Sequence, residues 1–175
     1  ISAGTLDNHG GRVATRQDLG LNAASLNNND GNLAAQGALT LNLLADLLNR
    51  KGTLFAGKDL LIQRAGLVDN RAGQIASQGL LKVLAGSIDN SQRGTLAANG
   101  ALVLNSSGAL SNSGDGLIYS QQGDVGLLAA SLNNAKGTVQ AKGAITAQAT
   151  GLLDNQGGKL IAQDGALTVT ADTLD

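Results

Sequence analysis

Apolar and polar positions in this chain fall into a unit that returns about every 21 residues. Each unit opens on an apolar residue, at Leu6, Leu26, Leu47, Val68, Ile88, Leu110, Leu132, Leu153 and Leu174, and the successive spacings are 20, 21, 21, 20, 22, 22, 21 and 21. Two places after each of the first eight stands an asparagine: Asn8, Asn28, Asn49, Asn70, Asn90, Asn112, Asn134 and Asn155. Three or four places further comes a glycine: Gly11, Gly31, Gly52, Gly73, Gly94, Gly116, Gly137 and Gly158. A pair at period 2 follows, large then small: Val13/Thr15, Leu33/Ala35, Leu54/Ala56, Ile75/Ser77, Leu96/Ala98, Ile118/Ser120, Val139/Ala141 and Leu160/Ala162. A second pair closes the unit: Leu19/Leu21, Leu39/Leu41, Leu60/Ile62, Leu81/Val83, Leu102/Leu104, Val125/Leu127, Ile145/Ala147 and Leu167/Val169. Alternation at this period marks a strand with those positions on one face.

Two such segments and a third short one around the opening residue give three strands per unit, joined by turns. Units stacked as rungs bring each strand to its own copy above and below at about 4.8 Å. The predicted fold is all-β, a right-handed parallel β-helix: a three-sheet solenoid of about eight rungs, roughly 40 Å long. Its hand rests on the general right-handedness of parallel crossovers. The asparagine column predicts an amide ladder at one corner, and the glycine is expected to supply the positive φ that the corner needs. The two rungs of 22 residues carry their extra residue between asparagine and glycine, where a turn absorbs it. A leucine-rich repeat has a similar length and also an asparagine ladder, but it places several leucines before the asparagine. Here the asparagine precedes a glycine and two separate alternating pairs.

Composition fits narrow, uniform layers. The chain of 175 residues is 42% apolar, yet Phe55 and Tyr119 are its only aromatics, it has 25 glycines, and Trp, Met, Cys and Pro are absent. Proline is costly where nearly every N–H serves a neighbouring rung. Twelve basic against thirteen acidic residues leave a formal charge of -1, scattered without a stripe, which argues against nucleic acid or an anionic membrane as partner. The richest apolar segment, Leu39 to Leu48, is broken by Asn42 and Asp46, so no membrane insertion by this segment is expected. Ile1-Ser2-Ala3-Gly4 lacks the features of a signal peptide, and any export signal is expected elsewhere. Lack of cysteine suits a reducing cytosol and equally a surface protein threaded unfolded through a pore.

The phrase running from Leu26 to Leu41, and again from Leu153 to Val169, closely resembles the haemagglutinin repeat of bacterial two-partner-secreted exoproteins. That family includes filamentous haemagglutinins and contact-dependent growth inhibition effectors. The resemblance covers essentially the whole chain and departs mildly at Leu48, where an acid or amide is usual, and in the two longer rungs. It implies a secreted β-helical filament displayed on the bacterial outer surface, exported by an outer-membrane secretion pore and reaching toward an unidentified receptor on a target cell. Residues 1–175 would then be one shaft segment excised from a longer filament, with rungs starting near 6, 26, 47, 68, 88, 110, 132 and 153. Ends without caps would be open to end-to-end self-association.

Chemistry was sought in four places. Gly52 to Lys58 has phosphate-loop spacing, but Asp59 stands where a Ser or Thr would hold magnesium. The column before the asparagines holds Asp7, Asp69, Asp89 and Asp154, and Asp69 and Asp89 fall in adjacent rungs, near enough to share a cation or proton. Asn27, Leu48, Ser111 and Asn133 fill the same column, so a solvated turn is the simpler expectation. His9, the sole histidine, reads as an exposed turn residue. Phe55 and Tyr119 share an outward column three rungs apart and are candidates for a surface contact, against ordinary exposure. No catalytic, metal-binding or cofactor-binding residue is assigned, and the chain is read as no enzyme. The expected function is mechanical, with a receptor-binding portion of the same adhesin as the alternative. A carbohydrate-acting β-helix enzyme is the remote third, since uniform rungs leave no loop long enough to build a cleft.

Overall fold

The computed structural model describes all 175 residues, in 24 strands and no helix. Strands recur three to a rung because each period-2 pair buries its two members and turns the residue between them outward. Leu33 and Ala35 are buried around a half-buried Ala34, and Leu39, Leu41 and Leu43 are buried around Thr40 and the exposed Asn42.

The first face stacks eight four-residue strands, Arg12–Thr15, Asn32–Ala35, Thr53–Ala56, Gln74–Ser77, Thr95–Ala98, Leu117–Ser120, Thr138–Ala141 and Lys159–Ala162. All pair in parallel, residue for residue, with no register shift. The second face stacks Leu39–Leu43, Leu60–Arg64, Leu81–Ala85, Leu102–Ser106, Val125–Ala129, Ile145–Ala149 and Leu167–Thr170. Its register slips once, between Leu41 and Asn42. The third face runs through Leu47–Leu48, Leu67–Asp69, Ser87–Asp89, Ala109–Ser111, Ser131–Asn133, Leu152–Asp154 and Thr173–Leu174.

The nine-residue strand Leu19–Asn27 belongs to both the second and third faces, so hydrogen bonds join these columns into one sheet of 16 strands. The reason is the tightness of this corner. Five positions separate Leu21 from Leu26, and the backbone stays extended between them, paired to Ser2–Asp7. Where the same step takes six positions, as from Leu41 to Leu47, three residues leave the strand and the faces separate. The first face remains its own eight-stranded sheet.

Inside, 35 buried apolar residues form one continuous core. Like stacks on like: Leu26, Leu47, Val68, Ile88, Leu110, Leu132 and Leu153 form one column, each at most 1% exposed. Every fully buried large aliphatic contributes about 1.5–3 kcal/mol, and the uniform cross-section leaves no place for a larger ring. The extra residues of the two longer rungs sit in the turns Ser91-Gln92-Arg93 and Ser113-Gly114-Asp115, between asparagine and glycine.

Candidate functional site

The most regular chemistry lies at the corner between the third and first faces. Seven consecutive amide hydrogen bonds join the eight asparagines, each Nδ2 donating to Oδ1 one rung on: Asn8 to Asn28, Asn28 to Asn49, Asn49 to Asn70 and Asn70 to Asn90 at 2.7 Å, Asn90 to Asn112 and Asn112 to Asn134 at 2.8 Å, and Asn134 to Asn155 at 2.7 Å. The second amide hydrogen is shared by two carbonyls. For Asn49 these are Gly52 O in its own rung and Gln74 O in the next, both at 3.2 Å. Asn28, Asn49, Asn70, Asn90, Asn112 and Asn134 are fully buried, and no buried side-chain polar atom lacks a partner. An amide stacks on itself because it carries donor and acceptor at once, so one residue type repeated satisfies the whole column.

The glycines serve this corner differently from the expectation. Positive φ falls one residue earlier, on Asp30, Lys51, Ala72, Arg93, Asp115 and Lys136, with Gly10 and Gly157 in the same place. Gly11, Gly31, Gly52, Gly73, Gly94, Gly116, Gly137 and Gly158 are not left-handed. They are required by space. A Cβ on Gly52 would stand 2.6 Å from Asn49 Oδ1 and overlap the main-chain oxygen of Asn28. The same overlap with an asparagine of the rung before recurs at Gly31, Gly73 and Gly137. Stacked carbonyls approach the next rung so closely that only a bare Cα fits.

Beside the ladder, Asp69 corrects the solvated-turn expectation. It is fully buried, and its Oδ2 accepts from Arg50 Nε at 2.6 Å and Arg71 Nη2 at 2.8 Å, while Oδ1 accepts from Arg71 Nε at 2.9 Å. Burial works to raise its pKa, but the hydrogen bonds from Arg71 and Arg50 outweigh it and hold the carboxyl below its ordinary range. Asp89 lies directly above in the parallel register, and Arg71 Nε reaches its Oδ2 at 3.4 Å. The cation these two acids share is the Arg71 guanidinium. Asp7 is exposed, Asp154 is half-buried, and neither meets a second acid.

Sequence reasoning missed a second device. Asp18, Asp59 and Asp124, each just before the strand that follows, reach into the next rung and accept the N–H of Ala38 (2.8 Å), Leu80 (2.8 Å) and Ala144 (2.7 Å). Gly37, Gly79 and Gly143 lie against these carboxylates, where a Cβ would overlap Oδ1. Asp46 serves Leu67 N at 2.9 Å in the same way beneath Gly66. The signal was present: an aspartate directly before a strand, with glycine one place earlier in the following rung. Asp59 is thus a corner cap, and Gly52 to Lys58 is a ladder glycine followed by a strand of the first face, not a phosphate loop.

His9 is exposed in its turn. Phe55 and Tyr119 stand half-buried in the outward column of the first face, three rungs apart. The first-face surface also carries a shallow hollow of about 350 Å³ whose rim includes Arg12, Arg16 and Phe55. No group of three or more His, Asp or Glu side chains is placed to hold a metal ion.

The family model of the haemagglutinin repeat matches residues 1–51, 44–114 and 120–175. The chain belongs to the haemagglutinin repeat family. No curated protein and no solved structure matches it significantly. In this chain each haemagglutinin repeat is one turn of a β-solenoid, and its most regular residues, Asn and Gly, are the two that join a turn to the next. The segment is a structural piece of an adhesin-type shaft.

Proposed function

We propose that this segment spaces a binding or toxin module away from the surface of the bacterium that secretes it, in a filament exported through the outer-membrane pore of a two-partner system. The observation that carries the reading is the unbroken amide column from Asn8 to Asn155, which ties every rung to the next without an inserted loop. Such a rod extends by about 4.8 Å per rung, so reach scales with repeat number. Catalysis finds no support here, since the one buried acid is engaged by two arginines. Deleting one whole rung, residues 47–67, from the secreted parent tests the reading. Export and surface display persist, and the filament shortens by about 4.8 Å.

The alternative, direct receptor contact by this segment, draws on the hollow beside Arg12, Arg16 and Phe55, because neither arginine is in an ion pair. Replacing both arginines and Phe55 by alanine separates the readings. Lost target-cell binding with undiminished display would favour contact over spacing.

A further inference from the structure

We infer that the first face is a self-complementary surface on which a second copy of this chain packs antiparallel, each aromatic of one copy resting on an alanine of the other. The face is suited to packing because its eight strands pair residue for residue without a bulge, leaving it flat, whereas the second face is interrupted at Asn42. Its middle outward column reads Ala14, Ala34, Phe55, Ala76, Ala97, Tyr119, Gln140 and Ile161 in rungs one to eight. Neither this column nor the outward column beside it, Arg12 to Lys159, contains an acid. The first face therefore presents two knobs among hollows.

Order along the column decides how two such faces mate. With the two-fold axis along the strand direction at Ala76, rung three faces rung five and rung six faces rung two. Phe55 then meets Ala97 of the second copy, and Tyr119 meets Ala34. Ala76 meets its own copy on the axis. Shifting the axis half a rung, to lie between Ala76 and Ala97, sets Phe55 on Tyr119 and holds the alanines apart. A parallel in-register mate sets Phe55 on Phe55, with the same defect. Only the axis at Ala76 puts both aromatics into hollows.

Charge permits this arrangement. The one like-charge approach is Arg16 toward Lys142, and Asp164 lies 2.8 Å from Lys142 Nζ to offset it. Seven overlapping rungs of four-residue strands bury roughly 500 Å² per copy, about 1,000 Å² in all, at the floor for a specific interface. The association is accordingly weak, and its test is a trap.

The chain has no cysteine, so Ala76→Cys introduces a single outward thiol on the proposed axis. With a mild oxidant, A76C forms a covalent dimer roughly tenfold faster than T146C, whose exposed thiol lies on the second face, because packing raises the effective thiol concentration. Adding A97F to A76C fills the hollow for Phe55 and slows crosslinking to the T146C rate, while adding T146F leaves it fast. Circular dichroism checks that each outward variant keeps the solenoid. Equal rates for A76C and T146C, or fast crosslinking that A97F does not slow, would overturn the inference. End-to-end stacking of copies, which keeps Ala76 thiols apart, gives the first of these results.

Discussion

Two corners of the solenoid solve one problem with different chemistry. At the corner between the third and first faces every rung carries asparagine; at the corner between the first and second faces aspartate appears only in rungs one, three and six, at Asp18, Asp59 and Asp124. Both side chains bond across to the next rung. The amide donates and accepts, so it stacks on its own kind without limit. An ionised carboxylate only accepts, and two in succession would repel, so it must face a bare N–H beside a glycine. The first corner is consequently homotypic and continuous, the second heterotypic and interrupted. Asp69 and Asp89 are the exception that tests the rule. Two acids do stack there, and a guanidinium stands between them.

Breaking the homotypic corner should cost most. Asn70→Ala leaves Gly73 O and Thr95 O without their side-chain donor and removes the hydrogen bond to Asn90 Oδ1. We expect a loss of about 3 kcal/mol, read as a lowered urea midpoint. N70D should lose more at neutral pH, because it turns an oxygen against Asn90 Oδ1. Its buried carboxyl would have a raised pKa, so the penalty would shrink as pH falls through that value and the acid gains a proton to donate. A ladder that is decorative would show no such asymmetry.

Next in size is the glycine that lets the ladder close. Gly52→Ala should cost about 2 kcal/mol through overlap with Asn28 O and Asn49 Oδ1, with no contribution from φ. Gly20→Ala meets nothing within 4 Å and should be neutral or stabilising by about 0.5 kcal/mol, since glycine is unfavourable in a strand. If both changes cost alike in thermal unfolding, backbone freedom rather than space would explain the glycine column.

The stacked acids give the third effect. Asp69 has a folded pKa below its ordinary 3.8, so its contribution is fully present above the unfolded value and is lost as pH falls through the folded one. Arg71→Ala removes the guanidinium between Asp69 and Asp89. Stability should fall by about 1–2 kcal/mol at neutral pH, and the gap from the unaltered chain should close as both acids protonate. Urea midpoints measured from about pH 7 to pH 2 would show this convergence, and a constant gap would mean that Arg71 acts by packing alone.

What was legible in the sequence follows the same division. Homotypic columns announce themselves, so the rungs, the alternating pairs and the asparagine corner could be read from residue order. Heterotypic devices do not, because Asp18 acts on Ala38 and its partner is a main-chain N–H of no fixed residue type. Burial of Asp69 was hidden because Leu48 and Ser111 share its column, and what sets it apart is Arg50 and Arg71 in the turns on either side. The glycine column was visible, but its cause was not. Residue type cannot distinguish a need for positive φ from a need for space, and the left-handed position itself is filled by Lys51 and Ala72, which give no sign of it.

The smallest effect probes the heterotypic corner itself. Asp59→Ala withdraws the acceptor from Leu80 N–H, a group at the exposed rim where water substitutes in part. A loss of about 1 kcal/mol is expected. Asn at the same position keeps an oxygen in place, so D59N should cost less than half of that if the hydrogen bond is what matters, and as much as alanine if the negative charge is. The first result would make the two corners variants of one hydrogen-bonding device, separated only by whether the side chain can also donate. The second would make the aspartate corner electrostatic, and raising salt should then weaken the unaltered chain while leaving D59A unchanged, because an exposed charge is screened over about 10 Å at 0.1 M ionic strength.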